Sequence, residues 1–104
     1  MKRHGFKMKL KPGHQAEYKR RHDEIWPELV TLLSEHGLCD YHIFHDPETD
    51  ILFAVQHLRE GAKPDALPDH PVMRKWWAHM ADVMETDAAG VPIVKPIVEV
   101  FHMD

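Results

Sequence analysis

The chain has 104 residues, 43% hydrophobic and 29% charged, proportions that suit one globular domain over 1–104 and argue against disorder. Its net charge of −4 speaks against nucleic acid, because the only basic run, Lys19, Arg20 and Arg21, reads as a solvated helix face. A single cysteine, Cys39, rules out an internal disulfide and argues against a thiolate zinc site, and no apolar stretch reaches the length that crosses a bilayer.

The opening "MKRHGFKMKLKPGH" has no continuous apolar core, so it is not read as a secretory signal and a cytoplasmic location is expected. Within it, Lys2 to Leu10 alternates: Phe6, Met8 and Leu10 point one way, Arg3, Lys7 and Lys9 the other, which predicts a strand ended by Pro12 and Gly13. From His14 to His36 the positions Tyr18, Ile25, Leu29, Leu32 and Leu33 recur at helical spacing, with Gly37 as the stop. Pro27 lies inside that pattern and predicts a bend just beyond His22.

Tyr41 to His45 reads as a second strand, "DPETD" as a turn and Ile51 to Leu58 as a third strand, together a hairpin. Residues 59–68 read as loop. Asp69 caps a second helix that has Pro71 in its first turn and runs through "VMRKWWAHMADVM". Ile93 to His102 alternates as a last strand, with Pro96 marking an edge or a bulge. The order βαββαβ predicts an α+β, ferredoxin-like domain with two helices on one face of an antiparallel sheet. Its other face is too apolar for water, so dimerisation through the sheet is expected.

Few residues stand out as chemistry. Tyr18 and His22, four apart, share a helix face that Ile25 extends, and can reach one small molecule. Trp76 and Trp77 point about 100° apart, so one is expected in the core while the other edges a cavity. Tyr41, Ile43 and His45 alternate on one strand face, with His42 and Phe44 opposite. The ten histidines include no spacing that converges on a metal, and there is no phosphate loop, nucleophile elbow or dinucleotide fingerprint, so neither metal nor cofactor is expected.

The stretch "YKRRHDEIWPEL" closely resembles the signature of L-rhamnose mutarotases, and "GLCDYHIFHDPETDILFAV", "RKWWAHMADVM" and "EVFHM" follow in the same order, so that the resemblance spans the chain. It implies a ferredoxin-like fold paired into a homodimer of the dimeric α+β barrel type. It also implies a proton-donating histidine at His22 and sugar contacts from Tyr18, Tyr41, Trp76 and Trp77. "REGAKPDALPDHP" is richer in proline, and the second strand richer in histidine, than the family leads one to expect.

Anomer exchange needs only proton transfers and a transient open-chain aldehyde. An imidazole with an ordinary pKa near ~6.5 suits it better than a phenol near ~10. His22 is therefore expected as acid toward the ring oxygen and base on reclosure, with the acceptor of the anomeric proton left open. Two other readings remain at this point. One is a dimer that binds a sugar without altering it, which needs the aromatic residues but not a titrating His22; the other is a cofactor-free monooxygenase, supported by fold analogy alone.

Overall fold

The computed structural model of the chain describes residues 2–104. Four strands, β1 (Lys2–Lys9), β2 (Leu38–His45), β3 (Ile51–Leu58) and β4 (Lys95–Pro96), form one sheet in the order β2-β3-β1-β4. Every neighbouring pair is antiparallel. Helices α1 (Gln15–Asp23), α2 (Pro27–Glu35) and α3 (Pro71–Met80) complete the α+β, ferredoxin-like arrangement.

The period of two in β1 and β3 sets which face is covered. Phe6 pairs with Ala54 and Met8 with Leu52 on one face, while Lys7 pairs with Phe53 and Gly5 with Val55 on the other. Leu10 and Leu52 join Tyr18, Leu29, Leu32, Trp76 and Met80 in a single core between sheet and helices. The opposite face leaves Phe53 and Phe44 36% and 62% exposed.

The continuous helix expected over 14–36 is instead two helices. Pro27 has no N–H to give the preceding turn, and it forces the residue before it out of helical geometry. Trp26 accordingly sits at φ −62°, ψ 128°, and Pro27 starts α2 at its first turn, where a missing N–H costs nothing. The chain breaks rather than bends, and Ile25 lies in the connection instead of extending the face of α1.

Strand β2 begins earlier than expected and contains a bulge. Leu38 and Tyr41 are three apart, so a regular strand would send them to opposite faces. The register shifts between Cys39 and His42, and Asp40 takes φ +44°, a conformation aspartate tolerates better than most residues. Leu38 is thereby buried in the core while Tyr41, Ile43 and His45 keep the shared face that the alternation predicts.

Three other boundaries move. A two-turn 3-10 helix, Pro64–Asp69, occupies part of the expected loop, and His70 rather than Asp69 caps α3, its Nδ1 accepting from the Val72 N–H at 3.2 Å. Helix α3 ends at Met80, and Met84 instead bridges to Leu10. The last strand shrinks to Lys95–Pro96 at the sheet edge, where proline is tolerated, because no further neighbour accepts 98–102.

Gly37 ends α2 at φ +90°, donating to the Ser34 carbonyl at 3.0 Å. A Cβ there would lie 2.5 Å from the Cβ of Ala62 and 2.7 Å from its Cα. Gly37→Ala combines left-handed strain with a backbone clash, and urea unfolding should show a loss on the order of 2–4 kcal/mol. An unchanged midpoint would mean that the 59–63 loop does not press on this helix end.

Candidate functional site

Helix α1 presents Tyr18 and His22 one turn apart toward α3. Their ring centroids are 4.4 Å apart, and His22 meets the buried Trp76 edge-on at 5.4 Å. Trp26, freed by the helix break, packs edge-on against Trp76 at 5.1 Å, and His79 lies 5.6 Å from both indoles. Trp77 is half-buried beside the same core. This is the division expected of an adjacent pair: Trp76 is inside and touches His22, whereas Trp77 lies nearer the surface.

Tyr18, His22, Tyr41, Gln56, Trp76 and Trp77 line one cavity of about 1370 Å³ between helices and sheet. All five residues singled out from the sequence therefore border the same space. Tyr41 enters from the bulge in β2, with its ring edge-on to Phe6 at 6.3 Å.

The imidazole of His22 is held in one tautomer. Its Nδ1 lies 3.0 Å from the Tyr18 carbonyl oxygen, which can only accept, so Nδ1 carries the hydrogen and Nε2 is left to exchange protons. Burial lowers its pKa below the ordinary 6.5, against opposing contributions from the Tyr18 carbonyl and Asp23. His22 is therefore neutral at pH 7.

Both tyrosines stay protonated. Burial, reinforced by the nearby Tyr41, moves Tyr18 well above the ordinary tyrosine value. Tyr41 is pushed up to about 12 by burial of its hydroxyl, with a hydrogen bond from the Gln56 side chain pulling the other way. The hydroxyl end is the sheltered part, since 37% of the residue as a whole remains exposed.

Arg21 corrects the reading of the basic run as a solvated face. Its side chain is only 11% exposed and joins α1 to the end of α3. The guanidinium donates to both carboxylate oxygens of Asp82 at 2.7 and 3.1 Å, to the His79 carbonyl at 2.5 Å and to Glu17 at 2.7 Å. Hydrogen bonds from arginine hold the Glu17 and Asp82 carboxyls at about 2. Lys19 and Arg20 do lie on the exposed surface, paired with acids of their own helix.

The family model for L-rhamnose mutarotase matches residues 3–103. The chain belongs to the L-rhamnose mutarotase family. It is 56% identical to the L-rhamnose mutarotase of Flavobacterium johnsoniae over 98% of this chain and 95% of that one. It is 57% identical to that of Brucella anthropi over 97% and 95%. The crystal structure of L-rhamnose mutarotase FA22100 from Formosa agariphila superposes with a TM-score of 0.93 at 41% identity, and each chain is covered completely. No helix among the described residues is long and apolar enough to cross a membrane.

The structure adds Trp26, His79, Arg21 and Gln56 to the surroundings of the candidate site. Trp26 sits within the quoted motif, and the signal for its departure from the helix is its place before a proline, which the expectation of a single bent helix did not use. Gln56 is the lone amide of the strand "ILFAVQHL" and stands at a position that alternation turns inward with Leu52 and Ala54. The partners of Arg21, far away in sequence, gave no local signal.

Burial of neutral His22 links stability to pH. The unfolded chain binds this proton more readily, so the contribution is whole above the unfolded pKa of ~6.5 and is lost as pH falls from there through the lower folded value. Urea unfolding at pH 8 and pH 5.5 should show a larger acid loss for the unaltered protein than for His22→Phe. Equal losses would remove His22 as the source.

Proposed function

We propose that this protein is an isomerase that interconverts the α and β anomers of L-rhamnopyranose by acid–base opening and reclosure of the ring. The observation that carries the reading is the family match over residues 3–103, which includes a histidine held neutral among aromatic rings. A cytoplasmic location and L-rhamnose as the substrate belong to the same proposal. Related pyranoses such as L-mannose and L-lyxose present similar faces to such a site.

The chemistry follows from what His22 can do. Neutral Nε2 takes the proton of the anomeric hydroxyl, and the C1–O5 bond breaks with its electron pair passing to the ring oxygen. That oxygen takes the proton from the imidazolium, giving the open-chain aldehyde and a neutral histidine again. Rotation about C1–C2 presents the other face of the aldehyde, and the same steps run backward. His22 is thus the proton donor to the ring oxygen, and it also serves as the acceptor for the anomeric proton, since both oxygens are bonded to C1. The hydroxyls of Tyr18 and Tyr41 hold the sugar by hydrogen bonds. Trp76 and Trp77 supply apolar wall against its C–H faces and exclude water.

Saturation transfer between the anomeric proton signals of L-rhamnose measures this directly, with D-glucose as control. The protein should accelerate exchange of rhamnose and not of glucose. His22→Ala should slow it by about 10²- to 10⁴-fold, and the unaltered activity should fall on the acid side with a midpoint below ~6.5. A variant that retains near-full rate would sink the assignment.

The second part of the proposal is a homodimer formed through the uncovered sheet face. It is supported by the exposed Phe44 and by the tail, where Val98, Val100, Phe101 and Met103 are 77–94% exposed. Light scattering should give twice the mass of one chain, and a one-chain mass at micromolar concentration would refute the pairing.

A further inference from the structure

Helix α1 is short, and Tyr18 alone among its nine residues is buried. His14 at its start contributes no side-chain cap, and Lys19 and Arg20 pair with acids on or next to the same helix, so none of these three ties α1 to the rest of the fold. Arg21 does. Four of its five N–H groups are engaged: Nε donates to Glu17, Nη1 to the His79 carbonyl and to Asp82, and Nη2 to the other oxygen of Asp82. His79 and Asp82 lie 58 and 61 residues further along the chain. The His79 carbonyl belongs to the last turn of α3, where intrahelical donors run out and a cation is favoured. With about 100° per residue, Arg21 stands roughly 60° to one side of Tyr18 and His22 roughly 40° to the other. Tyr18 in the core is thus a pivot, with Arg21 and His22 on opposite flanks.

We propose that Arg21 is a positioning residue: by clamping α1 to the end of α3 it stops α1 from rolling about Tyr18 and so holds His22 against Trp76, in place for proton transfer to the bound sugar. The inference rests on the mutarotase reading for the identity of that ligand. Arg21 does not border the cavity, so its effect passes through His22. The hydrogen bond at His22 Nδ1 goes to the Tyr18 carbonyl of the same helix, so it fixes the ring relative to α1 but not α1 relative to α3. At a side-chain radius of about 5–6 Å, a roll of ~10° moves the imidazole by about 1 Å. A lysine would clamp less well, because a point charge lacks the fork that meets a carboxylate and a carbonyl together. The Tyr18 ring and the Trp76 indole pack on His22, and the Asp23 carboxylate, paired with Lys19 at 2.9 Å, acts on it from the next position in the chain. His4 from β1 and Tyr41 and His45 from β2 border the same cavity. A roll that admits water to His22 weakens the burial that keeps it neutral, so its pKa rises toward the ordinary ~6.5.

Protein carrying ¹³Cε1-labelled histidine gives ten NMR signals, and His22→Phe assigns one of them by removing it. In sugar-free protein, Arg21→Gln should raise the titration midpoint of the His22 signal toward ~6.5. For rhamnose exchange it should lower kcat by about 10- to 100-fold, the size expected for a misplacement near 1 Å, and move the acid-side midpoint of activity up in parallel. KM should change less, because Tyr18 keeps its own seat in the core. Arg21→Lys should show the same changes in reduced form. In the His22→Ala background Arg21→Gln should have no further effect on exchange. A His22 midpoint and a kcat left unchanged by Arg21→Gln overturn the proposal in favour of a merely stabilising ion pair, as does an equal loss of rate with and without His22. A midpoint moved by Arg21→Gln but not at all by Arg21→Lys overturns it in favour of a charge acting through space. Asp82→Ala, at a side chain 67% exposed, loosens the clamp while leaving Glu17 and the His79 carbonyl to Arg21, and its effects carry the same signs if the Arg21 variants do not fold. If the unaltered protein fails to exchange anomers, the mutarotase reading falls. A raised His22 midpoint would in that case still establish the clamp.

Discussion

The ring of Pro27, which bars the residue before it from helical geometry, shapes this site more than any other side chain in it does. A helix running unbroken from 15 to 35 would keep Trp26 on a cylinder surface and carry α2 along the axis of α1. The proline interrupts the helix after Asp23, holds Trp26 extended and starts a second helix at its own position. Trp26 then reaches Trp76 edge-on, and Trp76 in turn meets His22. One backbone restriction thus builds a continuous aromatic wall from three elements. The wall also excludes water from His22, which is why the imidazole is neutral.

A second restriction acts in the sheet. The core requires Leu38 inward and the cavity requires Tyr41 inward, and strict alternation cannot supply both. Asp40 absorbs the extra residue in a left-handed conformation, and the strand resumes its pattern at His42. Bulges near ligand sites commonly re-aim a side chain in this way. Here the re-aimed side chain is delivered opposite Gln56, the one polar residue that β3 turns inward. The position of the tyrosine and the polar group set opposite it therefore come from neighbouring positions on one strand pair.

Much of this was legible in the residues. Alternation gave the faces of β1 and of Tyr41, Ile43 and His45, and helical spacing placed Tyr18 beside His22. The element order gave the topology, and the signature stretch gave the family. Two of the misjudged features share a cause: each depends on a partner that no local window contains. Arg21 looks like its neighbours Lys19 and Arg20 until Asp82 and the His79 carbonyl are brought against it. The alternating 93–102 segment reads as a strand, but a strand needs a neighbour for its ladder, and within one chain only Lys95 and Pro96 find one. The proline at 27 was recognised, yet spacing alone does not distinguish a bent helix from two.

The electrostatics of the site suit a ligand without charge. Arg21, Glu17 and Asp82 neutralise one another behind α1, so strong charges brace the helix without reaching the cavity. Of the titratable groups that line it, His22, Tyr18 and Tyr41 are held in their neutral forms by burial, while the charged side chains on its border, among them Lys19, Asp23, Arg59 and Asp65, belong to other parts of the lining. A neutral sugar beside His22 and the two tyrosines meets uncharged groups, and every charge the reaction needs is created and discharged within one proton-transfer cycle. An imidazole buried enough to rest neutral is a better proton acceptor than donor at first contact. Having accepted the anomeric proton, it becomes an imidazolium destabilised by the same burial, and is driven to give that proton up to the ring oxygen.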